Sequence, residues 1–437
     1  MKFIPKNFKK NPLLRKFWAI LAHIYFGFPG RKLIFIGVTG TSGKTTTTFL
    51  IKSILEAAGI KTGLIGTAGC YLDKEVIYSQ ALGPGTTPDP FILHRILRKM
   101  VNQNIKAVVL EVSSSGLMYW RTYGIHFQAA VLTNIDYNYH VTTIHSDMDD
   151  YVKAKLKLFQ YLSKDSVAVL PGDNQYFDLF QKNTKATILK YGFDSSCDLW
   201  TEMKTNNNED DEEVLIHFKD KTFSLRLRIP RASFNILNSL AAIGAVSKIV
   251  TSEKTLKAGL EGIDKIPGRL ELILNKAPFT IIVDKANTYL TFQGLINFIK
   301  DNYNNNYNNN KIKRKIAVYG NFRELSLEER KMMAKVACDF FDLIVITQDD
   351  PKDESPQKGI EDFLNFAKKN NIPKDKYLTI LDRREAIKTA IEKAQDNDLI
   401  VILGRGNEQF MLYKNKKIPF DDRAVTKEIL KELGYLL

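Results

Sequence analysis

The chain has 437 residues, 44% of them hydrophobic and 26% charged. Those fractions exclude a wholly disordered chain, and at about 100–200 residues per domain the length suggests two to four domains. Lys and Arg number 63 against 49 Asp and Glu, a formal net charge of +14, which suits nucleic acid, an anionic membrane or phosphate-bearing ligands without choosing among them. Cys70, Cys197 and Cys338 are widely separated, with no CxxC pair. This excludes a disulfide scaffold and a Cys-based zinc site, and fits a reducing cytosol.

Residues 1–16 carry Lys2, Lys6, Lys9, Lys10, Arg15 and Lys16 and no acid, and an apolar run from Phe17 to Phe28 follows. The run is too short for a membrane span, which needs about 20 residues, and no small-x-small cleavage site comes after it. Residues 1–31 therefore read as a separate segment: either a helix packed on the body of the protein, or a basic interfacial helix at an anionic membrane.

From residue 32 the pattern is α/β. Lys32–Val38 is an apolar run of strand length, Lys44–Ala58 reads as a helix stopped by Gly59, and Lys61–Gly66 as a strand. Helix Pro90–Asn102 and strands Ala107–Val112 and Ala129–Thr133 continue the alternation, which indicates a parallel sheet covered by helices. Residues 204–213 are a polar, acidic loop, Glu213–Ile229 looks like a hairpin about Lys219-Asp220-Lys221, and Asn235–Ile249 reads as a helix. The character changes near Pro267-Gly268-Arg269, so one domain is expected over 32–266 and another over 267–437. Strands near Phe279–Val283, Lys315–Tyr319, Leu343–Thr347, Leu378–Leu381 and Leu399–Leu403 mark that second, Rossmann-like α/β unit. The Asn-rich stretch 302–310 reads as a surface loop.

Three residues carry chemical arguments of their own. GVTGTSGKTTT, Gly37–Thr47, lies between a strand and a helix, the setting of a phosphate loop. Small residues let backbone N–H groups approach phosphate oxygens, Lys44 reaches the terminal phosphates and Thr45 offers its hydroxyl to Mg²⁺. The spacing is one residue longer than the standard GxxxxGK[ST]. Glu111 ends the apolar strand run VVLEV, at the carboxyl edge of a parallel sheet where ligands bind. On a helix at about 100° per residue with Tyr151 at zero, Lys155 falls near 40°, between Leu158 near 340° and Phe159 near 80°. Lys153 and Lys157 fall near 200° and 240°. A lysine in the middle of an apolar face is costly unless paired or neutralised, or it snorkels.

These features, taken in order, resemble the Mur ligases, the ATP-dependent enzymes that add amino acids to the peptidoglycan stem peptide. The phosphate loop is followed by Thr86–Pro88, EVSS at Glu111–Ser114, Thr133-Asn134, YxxAKxxLF at Tyr151–Phe159 and NxxNxLAAI at Asn235–Ile243. PGRLE at Pro267–Glu271, DxA at Asp284–Ala286, DDP at Asp349–Pro351 and GxGxE at Gly404–Glu408 complete the set. The resemblance is to the MurE type and runs from about residue 31 to the C-terminus.

The resemblance implies a P-loop-type ATPase sheet followed by a C-terminal Rossmann-like domain, and amide-bond formation through an acyl-phosphate. ATP would lie on Gly40, Thr41, Ser42, Gly43, Lys44, Thr45 and Thr46, with Asn238 near the adenine and Arg269 and Asp284 brought to the nucleotide. Two Mg²⁺ ions would be held by Thr45, Glu111, His140 and a carbamylated Lys155. The family histidine follows an Asp in DHLD, whereas here the loop is longer, so His140 or His145 is the match. Thr86, Thr87 and Ser113 correspond to acceptor contacts, and Asp349, Asp350, Lys352, Gly404 and Glu408 to the amino-acid site.

The departures are specific. Only about 30 residues precede the first strand, against a whole uridine-binding domain in full-length relatives. DYAHTP reads Asp284-Lys285-Ala286-Asn287-Thr288-Tyr289, GKGHE reads Gly404-Arg405-Gly406-Asn407-Glu408, and the glycine-rich turn after Lys315–Tyr319 is cut to Gly320-Asn321-Phe322-Arg323. DNPR, the family's diaminopimelate motif, reads Asp349-Asp350-Pro351-Lys352. Lys lacks the bidentate fork for a distal carboxylate, and the added Asp350 favours a cationic side chain such as that of lysine. The reading is a cytoplasmic, monomeric ligase for a muramyl peptide, with peripheral membrane contact through residues 1–30 and no nucleic-acid partner. The alternatives are a non-catalytic nucleotide-binding scaffold, or a ligase for a lipid-linked or other carboxylate acceptor.

Overall fold

The structure, a computed structural model, describes residues 11–72, 75–77, 86–136, 144–202, 213–303, 312–320, 325–351, 355–413 and 416–436. His140, Lys352, the lysines of residues 1–10, residues 321–323 and most of the loops at 204–213 and 302–310 lie outside them.

The chain forms two compact units, the first ending at Asp264 and the second beginning at Lys265. In chain order the first unit runs α1 (Pro12–Tyr25), β1 (Ile34–Thr39), α2 (Lys44–Ala57), β2 (Thr62–Gly66), β3 (Gly69–Leu72), β4 (Glu75–Ile77), α3 (Pro90–Asn102), β5 (Ala107–Glu111), α4 (Ser114–Met118) and β6 (Ala129–Leu132). It continues with α5 (Met148–Gln160), β7 (Val167–Pro171), α6 (Phe177–Lys182), β8 (Thr187–Gly192), β9 (Leu199–Thr201), β10 (Val214–Phe218), β11 (Lys221–Leu225), α7 (Ser233–Val246) and α8 (Glu253–Glu261). Its strands make one sheet in the order β11-β10-β9-β8-β7-β6-β1-β5-β2-β3-β4. Neighbours from β9 to β2 run parallel, and hairpins extend both edges antiparallel. The central parallel strands β1, β5, β6 and β7 are largely apolar and buried, as expected of a sheet covered on both faces, and β8 near the edge is more polar and exposed. β1 lies between β5 and β6, with Val38 opposite Glu111 and Thr39 opposite Leu132, so the phosphate loop, Glu111 and Thr133 leave the sheet at its carboxyl edge.

The second unit contains β12 (Glu271–Leu272), β13 (Thr280–Asp284), α9 (Tyr289–Tyr303), β14 (Lys315–Gly320), α10 (Leu327–Phe340), β15 (Leu343–Thr347), α11 (Lys358–Lys369), β16 (Tyr377–Thr379), α12 (Arg383–Glu392), β17 (Leu399–Leu403), β18 (Phe410–Tyr413), β19 (Lys416–Pro419) and α13 (Asp422–Glu432). The six-stranded sheet has the order β12-β13-β17-β14-β15-β16, parallel except at β12. Ile281, Val283, Ile316, Val318, Ile400 and Ile402 form its core against α12 and α13. Both α/β expectations hold. The strand expected at Leu378–Leu381 is the shorter β16, an edge strand whose residues are only partly covered.

The N-terminal segment is a helix, α1, packed on α3. Asn11 and Asp89 cap the two helices, each ahead of a proline at the first turn. Ala19, Ala22 and His23 of α1 are buried, Trp18 Nε1 donates to Asp89 Oδ1 at 3.3 Å, and Arg98 of α3 donates to the carbonyls of Phe26 and Gly27. The rings of His23 and His94 lie 3.9 Å apart, and neither nitrogen of His94 has a partner among the described residues.

Burial pushes His94 down to about 3, helped by the neighbouring His23, and lowers His23 despite its bond to the Tyr123 carbonyl. Both are neutral when folded and gain a proton more readily when exposed. The stability they contribute is therefore present above the unfolded value near 6.5 and is lost as pH falls below it. The melting temperature of the protein should fall on acidification from about pH 7 to about pH 5, and His94→Phe should flatten that dependence. Thermal scans at each pH provide the check.

Candidate active site

The phosphate loop is held open by contacts that no larger residue would permit. Gly40 has φ +152° and a Cβ there would lie 1.8 Å from Thr133 Oγ1; Gly43 has φ +78° and a Cβ would meet Asn238 Oδ1 at 2.5 Å. Thr41 N donates to the Asn134 carbonyl at 3.0 Å, Ser42 N to Asn134 Oδ1 at 3.0 Å, and Thr133 Oγ1 to the Ser42 carbonyl at 2.6 Å. Thr45 and Thr46 are buried in the first turn of α2. Asn238 of α7 accepts from Thr47 Oγ1 at 3.2 Å, which places it beside Gly43.

Lys44 Nζ donates to the carbonyls of Gly40 and Thr41 at 2.8 and 2.9 Å. Lys155 Nζ donates to the same Gly40 carbonyl at 2.8 Å. Lys155 is 2% exposed, and its Nζ lies 4.3 Å from the centre of the Tyr151 ring. Tyr151 OH is 3.1 Å from Thr41 Oγ1. Burial first, and the charge of Lys44 second, hold the Lys155 amine well below the ordinary lysine range. Lys155 does not snorkel: α5 turns it inward, onto the loop.

Glu111 is fully buried at the end of β5. One carboxylate oxygen accepts from Thr67 Oγ1 at 2.8 Å; the other, Oε1, has no partner among the described residues. Gly66 makes room for that oxygen, since a Cβ there would lie 2.4 Å from it. Among the described residues no three His, Cys, Asp or Glu side chains cluster as a metal cage. A lone carboxylate with a bare oxygen near a phosphate loop nonetheless fits Mg²⁺, which is usually held by one or two carboxylates together with substrate phosphates and water. Thr67 Oγ1 also reaches Thr86 Oγ1 at 3.1 Å. Thr87 Oγ1 donates to the Glu111 carbonyl at 3.0 Å and lies 3.1 Å from Ser113 Oγ, and Ser113 caps α4. Thr86, Thr87, Ser113 and Glu111 are thus one connected group. His145 lies between Asp150 and Ser114, with 3.0 Å contacts at each ring nitrogen.

The second unit holds a separate, denser network. Arg405, fully buried, donates to Asp349 Oδ1 at 2.9 Å, to Asp350 Oδ1 at 2.6 Å and to the Phe410 carbonyl. Asp350 also accepts from Leu412 N at 2.9 Å. Arg405 matches the charge of Asp350, which weighs against the expectation that this extra acid reads a cationic substrate. Lys285 Nζ pairs with Glu408, whose carboxyl stays below its ordinary value because Lys285 and Arg405 outweigh burial. Asp349 Oδ2 has no partner among the described residues and faces Gly404, where a Cβ would approach it to 2.6 Å. Burial raises the carboxyl of Asp349, against the pull of Arg405. Asp284 accepts from Leu270 N and Ala286 N at 2.7 Å each, and Arg269 Nη1 donates to the Gly268 carbonyl at 3.1 Å.

Sequence reasoning overlooked Gly66, Thr67, Tyr151 and Lys285 as site residues. The first two lie in no motif. Tyr151 and Lys285 were in view as motif positions, but their partners, Thr41 and Glu408, are distant in sequence.

A phosphate-loop sheet with inward-turned lysine and carboxylate, followed by a Rossmann-like unit, is the architecture of an ATP-dependent ligase. Two family models match the chain, the Mur ligase middle domain over residues 38–246 and the Mur ligase, glutamate ligase domain over 268–406. The UDP-N-acetylmuramoyl-L-alanyl-D-glutamate–2,6-diaminopimelate ligase of Clostridium botulinum is 34% identical over 421 residues, covering 96% of this chain and 82% of the relative. A solved structure of a ligase of the same name superposes with a TM-score of 0.62 at 24% identity, covering 96% and 84% of the two chains. Mycobacterium tuberculosis folylpolyglutamate synthase with ADP shares the fold at a TM-score of 0.71 and 18% identity, covering 90% and 92%. The chain belongs to the Mur ligase family.

Arg405→Met should leave Asp349, Asp350 and Glu408 under-compensated in the interior. A loss of about 3–5 kcal/mol in unfolding free energy is expected, measured by urea denaturation.

Proposed function

We propose that this chain joins an amino acid to the carboxylate of a muramyl-peptide peptidoglycan precursor in the cytoplasm, using ATP, with residues 32–266 as the nucleotide-binding domain and 267–437 as the second domain. The observation that carries this reading is the convergence of Lys44 and Lys155 on the Gly40 carbonyl at the N-terminus of α2. The Lys44 ammonium at a helix N-terminus calls for an anion beside it, and a polyphosphate supplies one. The family is one that uses ATP, typically with Mg²⁺.

In the reaction an acceptor carboxylate oxygen attacks the γ-phosphorus of ATP, the bond from that phosphorus to the β,γ-bridging oxygen breaks, and ADP leaves. The amine then attacks the acyl carbon of that acyl-phosphate, the C–O bond to phosphate breaks, and the amine loses its proton. The chain's work is to hold anions together and neutralise charge as it develops. Residues 40–46 cradle the phosphates, Lys44 balances them, and Asn238 holds the nucleoside end beside Gly43. Arg269 and Asp284 are proposed as further nucleotide contacts. Thr45 and Glu111 would hold one Mg²⁺, and His140 with a carbamylated Lys155 would hold a second. When bound, the metal offsets phosphate charge. The depressed basicity of Lys155 supports carbamylation, since only a neutral amine adds to CO₂. The engagement of His145 by Asp150 and Ser114 favours His140 as the ligand.

Thr86, Thr87 and Ser113 are proposed to contact the acceptor. Asp349, Asp350, Lys352, Gly404 and Glu408 are proposed to contact the amino acid, with Asp350 acting through Arg405. Lys285 occupies Glu408 as an ammonium from the chain itself, so an incoming amine must compete with it. Peripheral membrane contact through residues 1–30 and a monomeric state belong to the same proposal.

Phosphate release should require a muramyl-dipeptide nucleotide and an amino acid together, and mass spectrometry should find the condensed product. ATP binding without product across an amino-acid panel would overturn the ligase reading. Lys155→Ala should lower turnover by at least about 100-fold, with partial rescue by a short carboxylate such as formate; full unaided turnover would remove Lys155 from the metal site. Lys285→Ala should lower the KM for the amino acid at least about threefold and leave that for ATP unchanged.

A further inference from the structure

We infer that the outer face of α1 docks the protein on an anionic lipid surface. This deepens the membrane contact proposed above by naming its face and its lipid class, and it does not depend on the ligase chemistry.

One side of α1 is used internally, by Ala19, Ala22 and His23 against α3. The opposite side carries large apolar residues in water. Leu13 is 76% exposed, Phe17 54%, Ile20 38% and Ile24 57%. Spaced by four, three and four residues, they fall within roughly 60° of arc at about 100° per residue, a single stripe along the helix. A soluble protein rarely leaves such a continuous stripe without an occupant.

The charge around the stripe selects the occupant. Residues 1–32 hold eight Lys or Arg and no Asp or Glu. Arg31 and Lys32 are exposed just beyond the helix, and Lys2, Lys6, Lys9 and Lys10 lead into it in sequence. An apolar stripe among cations matches acyl chains beneath anionic headgroups, the arrangement of a helix lying in the interface. A second copy of this surface would instead oppose cation to cation. With 14 residues α1 is too short to span, and among the described residues no helix is long and apolar enough to cross a membrane.

The helix is also fastened firmly enough to carry the load. Arg15 stacks on Tyr119 at 3.9 Å, Lys16 lies 4.7 Å from the Tyr123 ring centre, and Trp18 bonds Asp89. These anchors lie on the chain segments that follow Ser113 and Thr87, both proposed to contact the acceptor. Bilayer docking would therefore hold the acceptor-binding segments near the lipid, where a lipid-linked acceptor would be found.

The experiment is co-sedimentation of the full chain with vesicles of phosphatidylglycerol and phosphatidylcholine in about equal parts, and with phosphatidylcholine alone. Binding is expected to the first and not the second, to weaken in high salt, and to drop at least about tenfold in the double variant Phe17→Ser/Ile24→Ser. The variant should keep its circular dichroism and melting temperature. Its turnover with a soluble acceptor, where the wild type shows any, should also be unchanged. Absence of binding to the anionic vesicles, or equal binding by the variant, would overturn the inference. So would a wild-type dimer in size-exclusion chromatography that the same variant dissociates, because the stripe would then be an interface between copies. Failure of vesicle binding leaves soluble-acceptor turnover untouched, and failure of turnover leaves vesicle binding untouched, so the two readings fall separately.

Discussion

Two lysine side chains share one carbonyl oxygen of the phosphate loop in the first unit. Lys44 reaches the Gly40 carbonyl from the helix that begins at the loop, and Lys155 reaches it from α5. Neither arrangement is favourable alone. Burial and mutual repulsion both act against a second charge, which is why the Lys155 amine is so much less basic than an ordinary lysine. A surrounding of this kind is stable only if Lys155 is neutral, or becomes an anion by modification, or meets an anion. The last of these is what a bound phosphate would supply, and the second is the modification proposed above.

The neighbouring carboxylate follows the same logic with the sign reversed. Glu111 is buried with one oxygen satisfied by Thr67 and the other bare. Gly66 keeps space beside it. A buried carboxylate left half-bonded is costly, and a cation at that oxygen, as proposed for Mg²⁺, would remove the cost. The parallel strands β5, β1 and β6 bring this acid, the loop and Thr133 to a common edge because their registers align.

What was legible in the sequence depended on whether partners were near in the chain or far. Apolar runs and turn residues placed β1, β2, β5, β6, the β10–β11 hairpin and β13 to β17, but β3, β4, β7, β8, β9, β12, β18 and β19 were not read from the sequence. Helical phase alone placed Lys155 on the inner face of α5, because a rotation of about 100° per residue is a local property. Distant pairings were not legible. Asp350 read as an extra acid until Arg405, 55 residues away in sequence, proved to match its charge. Glu408 read as an available anion, and Lys285 lies 123 residues from it. Local periodicity carries no information about such pairs; only the fold brings them together.

That cluster also explains how the unusual residues of the second unit coexist. Arg405 spans two carboxylates with one Nη atom and reaches a carbonyl with the other, geometry that suits the planar guanidinium better than a single ammonium. With Asp350 beside Asp349, a cation able to meet both is a structural requirement, and Arg405 meets it. Asp349 Oδ2 remains as the bare oxygen of the group, against Gly404. The substitutions around this site are therefore coupled: each added charge has an opposite one within reach, as expected of a network kept in balance and not of a site losing its charges one at a time.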